Sequence, residues 1–193
     1  MKIKNRHSIR LKEYDYSKSG LYFVTICCEN RKCLFEKIDD SQMVLNDAGV
    51  MANECWMDIP KHFPNTVLHE YAIMPNHVHG IIEITNTENS SIPDISHKKR
   101  AKNVSPLRGD SLASQMFCGT SKTIGSIVRG FKIGVTKWLR NNLSSQYPQN
   151  QSVWQRNYYE HIIRNEQSYQ NITNYIINNP STWKQDKLCT TTP

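Results

Sequence analysis

Two histidines in the middle of the chain are spaced so that they could hold a metal ion together. His77 and His79 are separated by Val78 and followed by a run rich in β-branched residues. Because successive side chains of a strand alternate between its two faces, we expect the two imidazoles to project side by side while Val78 faces a core. Two imidazoles are part of a small metal site, so the other ligand and any reactive group must come from elsewhere in the chain.

A tyrosine and an asparagine in the C-terminal part of the chain could complete such a site. Tyr175 and Asn179 are four residues apart, which places them one turn apart on one face of a predicted helix. If this face meets the histidine strand, the two imidazoles and the amide oxygen of Asn179 would hold a divalent cation beside Tyr175. The arrangement suits phosphodiester cleavage, because Mg²⁺ or Mn²⁺ makes phosphorus more electrophilic and a phosphotyrosine keeps the bond available for rejoining.

Each of these residues also has an ordinary structural interpretation. A His-x-His pair in a strand often has no ligand role, and a tyrosine on an amphipathic helix often packs in a core. Asn179 directly precedes Pro180, which is typical of an asparagine that ends a helix. The spacing alone does not show that the two segments meet.

The composition favours a polyanionic partner. The chain of 193 residues has 24 Lys and Arg against 17 Asp and Glu, a formal charge of +7. Its six cysteines form no C-x-x-C pair and no disulfide framework. The N-terminal segment lacks the apolar core of a signal peptide, and no apolar run is long enough to span a membrane. We therefore expect a cytoplasmic protein, associated with the nucleoid when bound to DNA and without a membrane partner.

The pattern of apolar residues predicts one domain over residues 1–193, interrupted by a polar insertion at about 85–119. The central strand is predicted at 21–28, and 67–73 and 77–84 are predicted as two antiparallel strands or one bulged strand. Helices are predicted from the Ser41 cap to about Ile59, over 120–142 and over 165–178. The helix at 120–142 has an apolar stripe and an opposite basic face, which is either ordinary solvated charge or a surface for phosphates.

Several segments, in the same order, resemble the REP-associated tyrosine transposases, single-tyrosine enzymes of the HUH (His, hydrophobe, His) type that act on single-stranded DNA. The resemblance implies an α+β fold, RRM-like or ferredoxin-like, with an antiparallel sheet and helices packed on one face. It also implies an HUH strand in the middle of the sheet and a nucleophilic tyrosine on a C-terminal helix. The resembling segments are residues 6–11 with 14–16, 22–25, the HUH motif at 75–80, and the segments 154–164 and 175–180.

The same resemblance implies roles for individual residues. His77 and His79 correspond to ligands of Mg²⁺ or Mn²⁺, and Tyr175 corresponds to the nucleophile that forms the phosphotyrosine. Asn179 falls where the family has a third polar ligand, although relatives have glutamine there. Tyr158 and Tyr159 precede the helix and fall outside the position of the family's nucleophile.

The implied partner is single-stranded or hairpin DNA of the REP-like palindrome type, bound by a monomer or a homodimer. We expect cations of the N-terminal arm and the basic helix to contact phosphates, and Trp154 to stack on an unpaired base. The predicted DNA-binding residues are Arg6, Arg10, Lys122, Arg129, Lys132, Lys137, Arg140, Trp154 and Arg164.

Two rival functions remain open at this point. A domesticated relative that binds nucleic acid in a sequence-specific way without catalysis would share the fold and the basic surface. A metal-dependent hydrolase would need a carboxylate near the histidines. Glu83 has the right strand parity, but it lies about 13 Å from His79 along an extended strand, so we rank this hypothesis last.

Overall fold

The computed structural model of the protein describes residue 15 and residues 18–86 and 122–189. The predicted DNA contacts Arg6 and Arg10, and most of the predicted insertion, lie outside the described residues. The described strands are β1 Gly20–Cys27, β2 Glu36–Asp39, β3 Gln42–Leu45, β4 Thr66–Met74, β5 His77–Ile84 and β6 Tyr159–Ile163. The α-helices are α1 Asp47–Met57, α2 Ile59–His62, α3 Ile124–Asn142 and α4 Glu166–Asn178, and short 3-10 helices cover Glu29–Arg31 and Trp183–Gln185.

Four strands form an antiparallel sheet in the order β4-β5-β1-β6. β1 pairs with β5 on one side and with β6 on the other, so the strand that is apolar on both faces is central, as predicted. The chain crosses from β1 to β4 through α1, and from β5 to β6 through α3, which is the ferredoxin-like arrangement. The predicted α+β fold is confirmed.

The helices lie on both faces of this sheet. α1 and α3 pack together on one face, over a core that includes Tyr22, Val24 and Trp56. α4 packs on the opposite face, where Ile176 meets Phe23 in a second, smaller core. The prediction that the helices share one face therefore holds for α1 and α3 and is wrong for α4, because the apolar alternation of β1 gives each face its own core.

The prediction of a helix capped by Ser41 was wrong. Residues 36–45 form the β2–β3 hairpin, in which Asp40 and Ser41 occupy the turn with φ values of 45° and 62°. A two-residue turn with positive φ at both positions suits the twist of a hairpin. α1 begins after Asn46, whose side chain accepts a hydrogen bond from the Gly49 N–H.

β4 and β5 are two antiparallel strands joined by a tight turn, which decides between the two alternatives left by the sequence. Met74 pairs with His77, so Pro75 and Asn76 form the turn between them. The pairing shifts register between Leu68 and Tyr71, which marks a bulge.

No helix in the described part of the chain combines the length and the apolar character needed to cross a bilayer.

Candidate active site

The two histidines lie side by side on the face of the sheet that α4 covers. His77 and His79 sit opposite Cys27 and Thr25 of the central strand. Both side chains are completely buried, and their ring centroids are 4.8 Å apart. The alternation of β5 therefore brings two imidazoles together in the middle of the sheet, as their spacing indicated.

Asn76 fixes the orientation of the first imidazole. Its amide nitrogen donates hydrogen bonds to the backbone oxygens of Arg31 and Leu188, so its amide oxygen faces His77. That oxygen lies 2.9 Å from His77 Nδ1 and accepts its proton. The lone pair of His77 is then on Nε2, a way of presenting an imidazole that is typical of metal ligands.

Both imidazoles are kept in the neutral form. Burial lowers the pKa of His77 to about 4, and the nearby carboxylate of Asp186 opposes this shift only partly. Burial, with a smaller effect of His77, lowers the pKa of His79 well below its usual value. A neutral imidazole is the form that binds a metal ion.

α4 brings Tyr175 to the histidines. The helix begins after Asn165, whose side chain accepts a hydrogen bond from the Ser168 N–H. The Tyr175 ring lies edge-on to His79 with the centroids 5.3 Å apart, and edge-on to Phe23 at 6.3 Å. Tyr175 is 45 % exposed, so its ring contacts His79 while part of the residue is accessible from outside.

Asn179 is turned into the site. Its backbone is right-handed helical (φ −58°, ψ −42°), not the left-handed conformation common after a helix end. The residue is buried, and its amide nitrogen donates a hydrogen bond of 2.5 Å to Asp186. The amide oxygen is thereby left as an acceptor that faces away from Asp186.

Several buried polar atoms of this site have no hydrogen-bond partner. They are His77 Nε2, both ring nitrogens of His79 and the amide oxygen of Asn179. Buried acceptors without partners are unfavourable, and nitrogen and oxygen lone pairs suit a divalent cation. The described residues contain no cluster of three His, Cys, Asp or Glu side chains. The donor set that fits an ion here is therefore two imidazoles and an amide.

Asp186 is a site residue that the sequence analysis missed. One carboxylate oxygen accepts hydrogen bonds from the Tyr175 hydroxyl, at 3.3 Å, and from the Asn179 amide. The other oxygen accepts the Leu188 N–H at 2.6 Å. Asp186 follows the 3-10 helix Trp183–Gln185. No periodic pattern of residues in that segment predicts that it lies against the histidine strand and α4.

Burial and Asp186 together keep the Tyr175 phenol protonated. The pKa of Tyr175 is raised to about 12, mainly by burial and further by the charge of Asp186 and the hydrogen bond to it. The hydrogen bond from Asn179 acts in the opposite direction. The hydroxyl group is thus an oriented hydrogen-bond donor at neutral pH.

Tyr175 borders a cleft of about 780 Å³ that is open to the outside. Tyr158, just before β6, and Tyr159, the first residue of β6, also line this cleft. Tyr159 is half exposed, and its ring packs edge-on to Phe23 at 6.2 Å. Both tyrosines that the sequence analysis set apart from the nucleophile therefore border the same cleft as Tyr175.

The predicted DNA-binding residues of α3 divide into two groups. Arg129 and Lys137 are exposed, and so are Lys122 before the helix and Arg164 after β6. Lys132 and Arg140 instead donate hydrogen bonds to backbone oxygens of the segment 149–157. These two cations connect α3 to the segment 149–157 as well as contributing positive charge.

The prediction that Trp154 stacks on a base was wrong. The side chain is 6 % exposed and packs against Phe35 and Phe131, with ring centroids 5.8 and 5.6 Å away. Its indole N–H donates to the Lys132 oxygen and the Thr136 hydroxyl. Trp154 is a core residue, because its apolar surface and its one donor are both satisfied inside the protein.

Comparison with known proteins finds a relative of similar length and several solved structures with a related fold. No family model matches the sequence. An uncharacterized protein of Haemophilus influenzae is 51 % identical over 187 residues, which cover 96 % of this chain and 94 % of that protein. A REP-associated tyrosine transposase solved with a REP hairpin superposes with a TM-score of 0.54 at 18 % identity, over 92 % of this chain and 77 % of that one.

A second structure, a putative transposase of Deinococcus radiodurans, has a TM-score of 0.44 at 13 % identity, over 88 % of this chain and 95 % of that one. The first superposition establishes a common fold, and the identity to the Haemophilus influenzae protein establishes common descent. The chain therefore belongs to one family with that protein and has the fold of a REP-associated tyrosine transposase.

Proposed function

We propose that the protein is a transposase-like enzyme that cleaves and rejoins single-stranded or hairpin DNA through a covalent phosphotyrosine at Tyr175. The observation that carries the proposal is the contact of Tyr175 with His79, whose two ring nitrogens are buried without a partner. A reactive hydroxyl group next to unsatisfied metal-type donors is the combination that phosphoryl transfer needs. The REP hairpin bound to the structural neighbour is consistent with a hairpin substrate.

His77, His79 and Asn179 are the proposed ligands of Mg²⁺ or Mn²⁺. Their unpaired atoms belong to neutral imidazoles and an amide, none of which has to lose a proton in order to bind. When bound, such an ion polarises a non-bridging oxygen of the scissile phosphate and makes the phosphorus more electrophilic.

Tyr175 carries the covalent step. Its hydroxyl oxygen forms a bond to phosphorus while the bond from phosphorus to the leaving oxygen of the strand breaks. The phenol proton is released, and the leaving oxygen takes up a proton to become a free hydroxyl group. Attack of a hydroxyl group on the phosphotyrosine reverses these changes and joins a strand without ATP. The partly exposed side chain beside an open cleft supports access of a strand to this oxygen.

Asp186 positions the nucleophile in this proposal. The hydrogen bond from the Tyr175 hydroxyl fixes the direction of the oxygen, and the hydrogen bond from the Asn179 amide nitrogen leaves the buried amide oxygen of Asn179 without a partner. One carboxylate thereby aligns the reactive group and a ligand. Such alignment is the main way in which a protein promotes phosphoryl transfer.

The hydrolase hypothesis has little support in the geometry. Glu83, the carboxylate considered for it, lies 3.0 Å from His69 Nε2 on the side of that imidazole away from Tyr169. This pairing gives Glu83 a structural role between β4, β5 and α4. A non-catalytic DNA-binding relative is the remaining alternative, and the following experiment separates it from the enzyme.

The test is incubation with end-labelled hairpin DNA that has a single-stranded extension, in Mg²⁺ or Mn²⁺, followed by denaturing gels. We expect a metal-dependent protein–DNA adduct that is lost in Tyr175→Phe. Tyr159→Phe and Tyr158→Phe are matched controls, because they remove the same hydroxyl group from the same cleft, and they should keep the adduct. An adduct that persists in Tyr175→Phe contradicts the assignment of the nucleophile, and wild-type protein that binds the DNA without any adduct supports the non-catalytic relative.

The ligand set needs a readout that does not depend on cleavage. Binding of Mn²⁺ to the protein alone, followed by electron paramagnetic resonance, should weaken at least tenfold in His77→Ala and His79→Ala. A thermal melt of each variant shows whether it is folded, and His161→Ala, on the exposed part of β6, is the control. Unchanged Mn²⁺ affinity in folded variants would exclude the two histidines as ligands.

A further inference from the structure

Three polar side chains meet between the sheet and the N-terminal half of α4. The Tyr169 hydroxyl group lies 3.1 Å from His69 Nδ1, and Glu83 Oε2 lies 3.0 Å from His69 Nε2. The carboxylate only accepts hydrogen bonds, so Nε2 carries the proton of the neutral ring and Nδ1 accepts the hydrogen bond of the phenol. The imidazole therefore connects α4 with both β4 and β5.

The bulge in β4 allows His69 to face α4. Ala72 pairs with His79, and Val67 pairs with Glu83. Five residue steps along β4 therefore face four steps along β5, which leaves one extra residue in β4. His69 is two residues after Val67 and shares its face of the sheet. The extra residue lets Ala72, an odd number of residues further on, face α4 as well.

The bond between Tyr169 and His69 is the one side-chain hydrogen bond that joins α4 to a strand of the sheet among the described residues. The other described side-chain hydrogen bonds of α4 stay within the helix or, at Tyr175, reach Asp186. The stretch 167–183 contains no Asp, Glu, Lys or Arg, so it forms no ion pair with the sheet. Directional contact between α4 and the sheet therefore depends on His69.

The apolar contact beneath α4 does not supply this direction. Its buried members are Phe23, Ile81, Ile163 and Ile176. Burial of apolar surface is non-directional, so it opposes separation of the helix from the sheet more than rotation or sliding of the helix. A slip of α4 by one residue would turn Tyr175 by about 100° around the helix axis and move it about 1.5 Å along that axis.

We propose that His69, oriented by Glu83, is a positioning residue for Tyr175, because it holds the preceding turns of α4 in one rotation against the sheet. This inference rests on the proposed function and adds a device that aligns the nucleophile. Tyr169 lies six residues before Tyr175, about 9 Å along the helix. The bonds to Asp186 hold α4 at Tyr175 and beyond it. Two separate anchors fix both the direction and the rotation of a helix, which one anchor does not.

The position of these residues separates alignment from binding. The described lining of the cleft includes Tyr175 but not Tyr169, His69 or Glu83. The three residues therefore act on a strand in the cleft through Tyr175 alone. Loss of the bond to His69 should lower the rate of the chemical step and leave the affinity for DNA unchanged.

The variant that tests this proposal is Tyr169→Phe, which removes one hydroxyl group and keeps the ring in its apolar contact. The matched control is Tyr71→Phe. It removes a hydroxyl group that donates a hydrogen bond from β4 to Asn53 of α1, at 2.9 Å, on the opposite face of the sheet. Both variants lose one hydrogen bond between a helix and β4, so a general effect on stability should appear in both. Thermal melts of the full chain show that each variant is folded at the temperature of the measurements.

The first measurement needs neither DNA nor a metal ion. The nuclear Overhauser effect between the ring protons of Tyr175 and His79 reports their alignment, because the ring centroids are 5.3 Å apart. We expect it to weaken in Tyr169→Phe and to keep its wild-type intensity in Tyr71→Phe. Unchanged intensity in Tyr169→Phe, or equal weakening in Tyr71→Phe, would overturn the proposal.

The second measurement is the single-turnover rate of adduct formation with Mn²⁺ and saturating hairpin DNA. The rate should fall about 5- to 100-fold in Tyr169→Phe, between the bias that one hydrogen bond imposes and the cost of misplacing a reacting group by about 1 Å. The dissociation constant of the hairpin should stay that of wild type. A rate equal to that of Tyr71→Phe, or a loss of affinity as large as the loss of rate, would contradict a role in alignment.

Together the two measurements separate this inference from the proposed chemistry. If no protein forms an adduct, wild type included, but the Overhauser effect weakens only in Tyr169→Phe, the chemistry is wrong and the alignment of Tyr175 through His69 is supported. If wild type and Tyr169→Phe form the adduct at the same rate, the chemistry is supported and the positioning role is wrong.

Discussion

The hydroxyl group of Tyr175 lies 3.3 Å from the carboxylate of Asp186 and donates a hydrogen bond to it. Asp186 also accepts the amide of Asn179, so one carboxylate connects the proposed nucleophile with a proposed ligand. The segment that carries it is tied to the sheet by Arg31 and Asn76, which donate to the oxygens of Lys187 and Leu188. The direction in which Tyr175 points is therefore set by residues after α4 as well as by the helix itself.

Replacing the carboxylate with an amide should make Tyr175 easier to ionise. Asp186→Asn removes the charge that, after burial, raises the pKa of Tyr175 to about 12. The pKa should fall towards the ordinary value of about 10 without reaching it, because burial remains. The measurement is the phenolate absorbance at about pH 11, taken as the difference from the same protein with Tyr175→Phe. Asp58→Asn is the control, and an equal phenolate fraction in Asp186→Asn and wild type would contradict the prediction.

Asp186 illustrates a limit of prediction from sequence. His77 and His79 could be paired because a strand has a fixed period of two, and Tyr175 and Asn179 because a helix has a fixed turn. Each pair depends on local geometry alone. Asp186 reaches the site through an irregular segment whose position depends on contacts with distant parts of the chain, such as that of Trp183 with His77 at 5.9 Å. No local period encodes such contacts.

Acid should destabilise the metal-free protein through His77. Its pKa is about 4 in the folded state and 6.5 as the ordinary value, so between these values the unfolded chain binds more protons. Stability is therefore complete above about pH 6.5 and is lost as the pH falls towards 4. From pH 7 to pH 5 the loss due to His77 is about 2 kcal/mol. Urea unfolding in the presence of EDTA measures it.

A histidine variant isolates this contribution. His77→Gln should reduce the fall in unfolding free energy between pH 7 and pH 5, and His161→Gln, at an exposed position, should not. If His77→Gln and wild type lose stability equally over this interval, His77 is not the group responsible. Added Mn²⁺ should oppose the loss in wild type, because the ion binds the neutral imidazoles of the folded protein.

Gly80 separates the histidine face of β5 from the core beneath it. A Cβ at this position would lie 2.6 Å from Trp56 Cζ2 and 2.6 Å from Tyr71 Cβ, which are stacked on each other. Gly80→Ala should lower the free energy of unfolding by about 1–3 kcal/mol, because neither neighbour can move without displacing the other. Gly130→Ala in α3 is the control, since its Cβ would lie 3.3 Å from one ring atom of Phe63. A loss in Gly80→Ala no larger than that in Gly130→Ala would contradict this explanation.

Two of the wrong predictions, the helix capped by Ser41 and the stacking of Trp154 on a base, have the same origin. Val44 fits a helical spacing with Ala48 and Met51. In the structure it lies in β3, which pairs with β2 across the turn that Asp40 and Ser41 form with positive φ. Trp154 is an aromatic residue of a type that can stack on bases, yet the chain there pairs with Cys28 at the edge of the core. In both cases tertiary pairing overrides a local pattern that fits equally well.

Trp154 should matter for stability and not for contact with DNA. Trp154→Ala removes a buried indole from between Phe35 and Phe131 together with its hydrogen bonds to α3, and should lower the free energy of unfolding by about 3–5 kcal/mol. Urea unfolding measures this loss, and Arg164→Gln, at an exposed position, should change stability by about 0.5 kcal/mol or less. At a temperature where the variant is still folded, its affinity for hairpin DNA should equal that of wild type. Normal stability with weaker DNA binding would instead support the base-stacking role of Trp154. A side chain whose removal leaves the stability unchanged is not a core residue and would be accessible to DNA.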